Sequence, residues 1–81
     1  MRVTVRLFAR LTDIVGRSEL AREVPPGSSA GALWHELTAE YPELAGYERS
    51  MSTAINADYA HLDAILEDGD EVAFLPPVSG G

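Results

Sequence analysis

The chain has 81 residues, no cysteine and a formal net charge of −7. That length holds one small hydrophobic core and no second, and a 46% hydrophobic content excludes a globally disordered chain. The inventory rules out disulfides, thiolate catalysis and thiolate metal sites, and the acidic balance argues against nucleic acid or an anionic membrane surface as partner.

The first segment, MRVTVRLF, alternates: Val3, Val5 and Leu7 share one face, and Arg2, Thr4, Arg6 and Phe8 the other. This period of two predicts a half-buried strand. The segment lacks the apolar stretch of a signal peptide, and no apolar run is long enough to cross a bilayer, so a cytoplasmic protein is expected. Ala9 to Asp13 suits a turn or short helical piece that Gly16 breaks, and Glu19 to Val24 suits a second strand.

Pro25-Pro26-Gly27 ends that strand, and Ser28 or Ser29 can cap a helix by accepting from its first free N–H groups. Ala30, Leu33, Trp34, Leu37 and Tyr41 then fall on one helical stripe, with Glu36 and Glu40 outside it, until Pro42 stops the helix. The stripe makes Trp34 a core residue rather than a ligand platform. A third strand is expected over Thr53 to Ala57, followed by a turn at Asn56-Ala57-Asp58 before Tyr59. Leu62, Ile65 and Leu66 are expected under the sheet, and Glu67-Asp68-Gly69-Asp70 reads as a turn. Glu71 to Leu75 form the last strand, Val72 and Phe74 on one face, Ala73 and Leu75 on the other. Strand, strand, helix, strand, strand describes an α+β layout of the β-grasp kind, a mixed sheet with one main helix across it. The domain is expected to cover residues 1–75, with residues 76–81 as a flexible tail.

That tail, Pro76-Pro77-Val78-Ser79-Gly80-Gly81, carries the chemistry. Two terminal glycines can thread a narrow channel and leave the last carboxyl open to attack, while the prolines hold the tail off the body and lower the entropy lost on docking. A carboxylate becomes an acyl donor once ATP converts it to an adenylate. A sulfide equivalent can then displace AMP and leave a thiocarboxylate, so that a protein without cysteine donates sulfur. The competing reading is a frayed end, which the Pro-Pro-Val-Ser context disfavours. All six basic residues are arginine and lysine is absent; only the α-amino group could accept an acyl transfer from the chain's own tail.

The stretch from Asp68 through Phe74-Leu75-Pro76-Pro77-Val78-Ser79-Gly80-Gly81 closely resembles the end of molybdopterin synthase small subunits, the ubiquitin-like sulfur carriers. Leu7-Phe8-Ala9 with Asp13-Ile14-Val15-Gly16 resembles their beginning. The resemblance implies that Gly81 is adenylated by a ubiquitin-activating-type enzyme and thiocarboxylated. The loaded tail then gives sulfur to the cyclic pyranopterin precursor inside a large synthase subunit, two small and two large subunits forming a heterotetramer. ATP is handled by the activating partner, and no cofactor is expected on this chain, which lacks a phosphate-binding loop.

Phe8 and Leu75 are two large apolar residues on an otherwise wet sheet face, and adjacent first and last strands would make them a docking patch. The resemblance adds Tyr59 as a contact. His35 and His61 are too isolated for a metal or acid–base role, and Asp68, Asp70 and Glu71 lack calcium-loop spacing, so no metal site is expected. The same fold also serves carriers for thiamine or tRNA thiouridine and modifiers attached to lysines. A plain ubiquitin-like interaction domain is the reading of another class.

Overall fold

The computed structural model describes residues 1–77. Strand β1 (Arg2–Leu7) leads into a short helix α1 (Arg10–Val15), then strand β2 (Glu19–Glu23) and the main helix α2 (Ala30–Glu40). A 3-10 helix (Pro42–Tyr47) precedes strands β3 (Ser52–Ile55), β4 (Asp58–Ala60) and β5 (Glu71–Leu75). The five strands form one sheet in the order β2-β1-β5-β3-β4. The pairing of β1 with β5 is parallel and the other three are antiparallel. This is a mixed β-grasp sheet.

The alternation of β1 and β5 decides which side is covered. Val3, Val5, Leu7, Val72 and Phe74 are buried and pack with Leu33, Trp34 and Leu37 of α2. Trp34 and Phe74 meet as tilted rings with centroids 4.9 Å apart, and both are fully buried. Ser29 caps α2: its hydroxyl oxygen accepts from the Ala32 N–H at 3.0 Å, satisfying one of the helix's first unpaired donors. At Gly31 the helix approaches the Leu62 carbonyl so closely that an added Cβ would lie 3.0 Å from that oxygen. The absence of a side chain is what lets the helix sit there.

Differences from the sequence reading are local. The chain makes five strands rather than four, because the Asn56–Ala57 turn is tight enough for Asp58–Ala60 to pair back onto β3. Pro42–Tyr47 form a 3-10 helix that buries Leu44, where the sequence reading places no element. Leu66 is buried and Leu62 packs on the core, but Ile65 is 62% exposed instead of lying under the sheet. A backbone bridge between Ser29 and Ile65, framed by Ala30 N–H to Ala64 O and Leu66 N–H to Ser28 O, fixes this stretch in extended form. Alternation then buries Leu66 and turns Ile65 outward.

Candidate functional site

Strand β5 lies between β1 and β3, paired along both sides. Phe74 is locked in the core and Leu75, next along, faces the opposite side of the sheet half-buried. The chain therefore leaves the sheet at Leu75 in a direction fixed by two ladders. Pro76, half-buried, and Pro77, exposed, carry it on without a side chain or N–H that could re-enter the ladder. Of the expected tail residues, Val78, Ser79, Gly80 and Gly81 lie outside the described residues.

The uncovered sheet face at this exit is concave, and registers explain why. Arg6 pairs with Ala73, Ala73 with Ala54, and Ala54 with Tyr59, so one row across four strands has two alanines at its centre. In the next row Leu75 stands beside Ser52, and continuing the parallel register past Leu7–Phe74 places Phe8 beside Leu75. Small residues in the middle and large ones at the margins leave a groove of about 300 Å³, floored by Ala54 and Ala73 and walled by Phe8, Tyr59 and Leu75. Phe8 is 37% and Tyr59 82% exposed. The structure thus brings together the three residues expected to bind a partner.

Arg6, Glu71 and Ala57 also line the groove; the sequence reading considered Glu71 only among the acidic turn residues and did not single out Arg6 or Ala57 as site residues. Arg6 approaches Glu71 at 3.7 Å, with both side chains about half exposed, and its guanidinium lies 5.7 Å from the centroid of the Phe8 ring. These contacts restrain the Phe8 wall. The alternating pattern of β1 and β5 held the signal, because Arg6, Phe8, Ala73 and Leu75 share the outer face. The contribution of β3 and β4 needed the turn to be placed.

Two strained backbones flank the groove. Ala9, just after Phe8, has φ 50° and ψ −125°, and its carbonyl accepts from Thr12 at the start of α1. Asn56 and Ala57 have φ of 50° and 71°, the pattern of a primed hairpin turn that favours Asn-Gly. Asn56 is fixed further: its side-chain oxygen accepts from Glu71 N–H at 3.0 Å, and its amide donates to Asp70 at 2.9 Å. Asp70 also accepts from Glu67 N–H, and Asp68 from Arg2 N–H, each at 2.8 Å. The acidic turn is consumed in positioning β5.

Groups considered for other chemistry are elsewhere. His35 is exposed on α2, 3.3 Å from Glu48, and His61 is exposed beyond β4. Among the described residues no group of three or more His, Cys, Asp or Glu could hold a metal ion. The perturbed titrations belong to a clamp between β2 and the end of α2. Arg22 donates to both oxygens of Glu40, at 2.9 and 3.2 Å. That hydrogen bonding, ahead of the partial desolvation opposing it, lowers the Glu40 carboxyl and raises Arg22.

A small β-grasp domain whose central strand ends beside an apolar groove, and whose sequence then runs Pro-Pro-Val-Ser-Gly-Gly, belongs to the ubiquitin-like class. Comparison with known proteins defines the group: the profile of the ThiS family matches residues 5–81, and the chain belongs to that family. A molybdopterin synthase sulfur carrier subunit of Arabidopsis thaliana is 34% identical over 79 residues, covering 98% of this chain and 82% of the relative. The crystal structure of SAMP1 from Haloferax volcanii superposes with a TM-score of 0.86 at 26% identity, covering both chains completely. A chain in the Helicobacter pylori complex of subunits 1 and 2 of molybdopterin-converting factor superposes with a TM-score of 0.69 at 26% identity, again over the whole of both chains.

Proposed function

We propose that this chain is the sulfur carrier subunit of a molybdopterin synthase, with the carboxylate of Gly81 as its working group. That oxygen attacks the α-phosphorus of ATP in an activating enzyme of the ubiquitin-activating type, and pyrophosphate leaves. A sulfide equivalent then attacks the carbonyl carbon; the C–S bond forms, the C–O bond to AMP breaks, and a thiocarboxylate remains. The loaded tail enters the large synthase subunit, in a heterotetramer of two small and two large subunits, and passes its sulfur to the cyclic pyranopterin precursor. The chain supplies no catalytic side chain and holds no cofactor, and its place of work is the cytoplasm.

The observation that best supports this reading is the continuity of groove and tail. Leu75 is both the last residue of the central strand and a wall of the groove. A partner seated on Phe8, Tyr59 and Leu75 is thereby placed where the tail leaves, and the six residues from Pro76 to Gly81 can reach about 20 Å into it. The sulfur carrier relative and the two-subunit complex are compatible with that arrangement.

Deleting Gly81 tests it. The truncated chain should keep its folding midpoint, since the core cluster is built from residues between Val3 and Phe74, and should lose all ability to restore synthase activity. A truncated chain that still supports synthase activity would identify a plain interaction domain. The likeness to SAMP1, a small archaeal modifier protein, favours one second reading, in which the same activated tail is joined to lysines of other proteins. Restoring molybdoenzyme activity in a strain lacking its own small subunit separates the two.

A further inference from the structure

We propose that the groove selects its partner by charge as well as by shape. It takes a long cationic side chain, a lysine or arginine of the large synthase subunit, with the aliphatic stem on the alanine floor and the charged head at Glu71. This rests on the docking reading above and adds to it the chemistry of the docked side chain.

The floor and walls set the first requirement. Ala54 and Ala73 stand side by side across β3 and β5, and Phe8, Tyr59 and Leu75 rise around them. A floor of methyl groups offers no side-chain hydrogen bond, so a polar group laid on it would lose water that nothing replaces. A run of methylenes meets that condition. The faces of the two aromatic walls also attract a cation held close to them.

The second requirement comes from the end of the groove. Of the residues that line it, Glu71 carries the one carboxylate and Arg6 the one cation. The Glu71 backbone is tied down: its N–H donates to the Asn56 side-chain oxygen at 3.0 Å, and its carbonyl accepts from Asn56 N–H at 2.8 Å. On the other side it stands beside Thr4 of β1. Its side chain, by contrast, is about half exposed, and Arg6 approaches it only to 3.7 Å, beyond hydrogen-bond length. Arg6 is shared besides. It pairs in register with Glu19 of the edge strand β2, and its guanidinium lies 5.7 Å from the centroid of the Phe8 ring.

One cation between two carboxylates leaves this end of the groove with a net negative charge, on a backbone that needs no ordering when a partner arrives. A partner carboxylate would be repelled there, and an uncharged anchor would cover Glu71 without satisfying it. A cationic head avoids both costs.

The test is calorimetric titration of the full chain with the large synthase subunit at low and high salt, beside urea melts, for the unaltered chain, Glu71→Gln and Arg6→Gln. Glu71→Gln should weaken the complex at least about tenfold and flatten its salt dependence, whereas Arg6→Gln, which removes a competing cation, should steepen it. Replacing the large subunit's lysines and arginines one at a time by alanine should then find one whose loss costs the unaltered chain about tenfold and costs Glu71→Gln nothing further. Salt effects of the opposite sign would assign an anionic anchor to Arg6, and variants that bind like the unaltered chain would assign a purely apolar anchor; either result overturns the proposal, as does a scan that finds no such residue. A large subunit that binds none of the three chains overturns the docking reading itself, and this inference with it.

Discussion

Tyr59 is the residue whose role separates most cleanly from stability. At 82% exposed on a three-residue edge strand it contributes little to the core, so Tyr59→Ala should change folding stability by less than about 0.5 kcal/mol. If the groove docks the large synthase subunit, the same change should weaken that complex by roughly tenfold or more, as for an aromatic anchor. Isothermal titration beside a urea melt checks both at once; unchanged affinity would remove Tyr59 from the interface. Ala57 gives the opposite dissociation. With φ 71° it occupies a position suited to glycine, and Ala57→Gly should raise stability by about 0.5–1 kcal/mol by relieving that strain. A lower urea midpoint would show that the left-handed turn is not strained.

At the scale of elements, the Arg22–Glu40 clamp joins the edge strand β2 to the end of α2. The Glu40 carboxyl is lowered first by the hydrogen bond from Arg22. A carboxyl lowered in the folded state stabilises above its unfolded pKa, and that contribution disappears as pH falls through the folded value. Urea midpoints for the unaltered chain and Glu40→Gln should differ at neutral pH and converge in acid; a gap that stays constant or widens would contradict the ionic clamp.

The elements also show what could be read from residues alone. Period-two alternation identified β1 and β5, and the serine cap with its apolar stripe identified α2, because each pattern is local and repeats several times. Strand β4 escaped because three residues cannot display a period, and its existence depends on a turn held by Asn56, Asp70 and the Glu71 N–H from a distant segment. Ile65 was misplaced for a related reason. Its apolar character suggested burial, while the backbone bridge to Ser29 decided which way it faced. The groove was half legible: Phe8 and Leu75 follow from alternation, whereas its alanine floor appears only when β3 is set against β5.

For the whole molecule, the net charge of −7 bears on encounter rather than on fold. Partners carrying a basic surface should associate faster at low salt, with the association rate falling several-fold between about 0.01 and 0.15 M salt as the Debye length shrinks from roughly 30 to 8 Å. Stopped-flow mixing with the large subunit would check this, and a rate independent of salt would leave the acidic surface without a steering role. On the proposed reading, the apolar groove and the tail divide the work between them: the groove would hold the partner, and the tail would deliver the reacting carbonyl past the interface.

The central claim is that Gly81 becomes a thiocarboxylate. Intact mass spectrometry of the chain after incubation with ATP, a sulfur source and the activating enzyme tests it directly, beside a control without ATP. The expected result is an ATP-dependent gain equal to one oxygen replaced by sulfur, localised to Gly81. An unchanged mass in the presence of a demonstrably active enzyme would contradict the carrier chemistry and leave the groove as the binding face of an interaction domain.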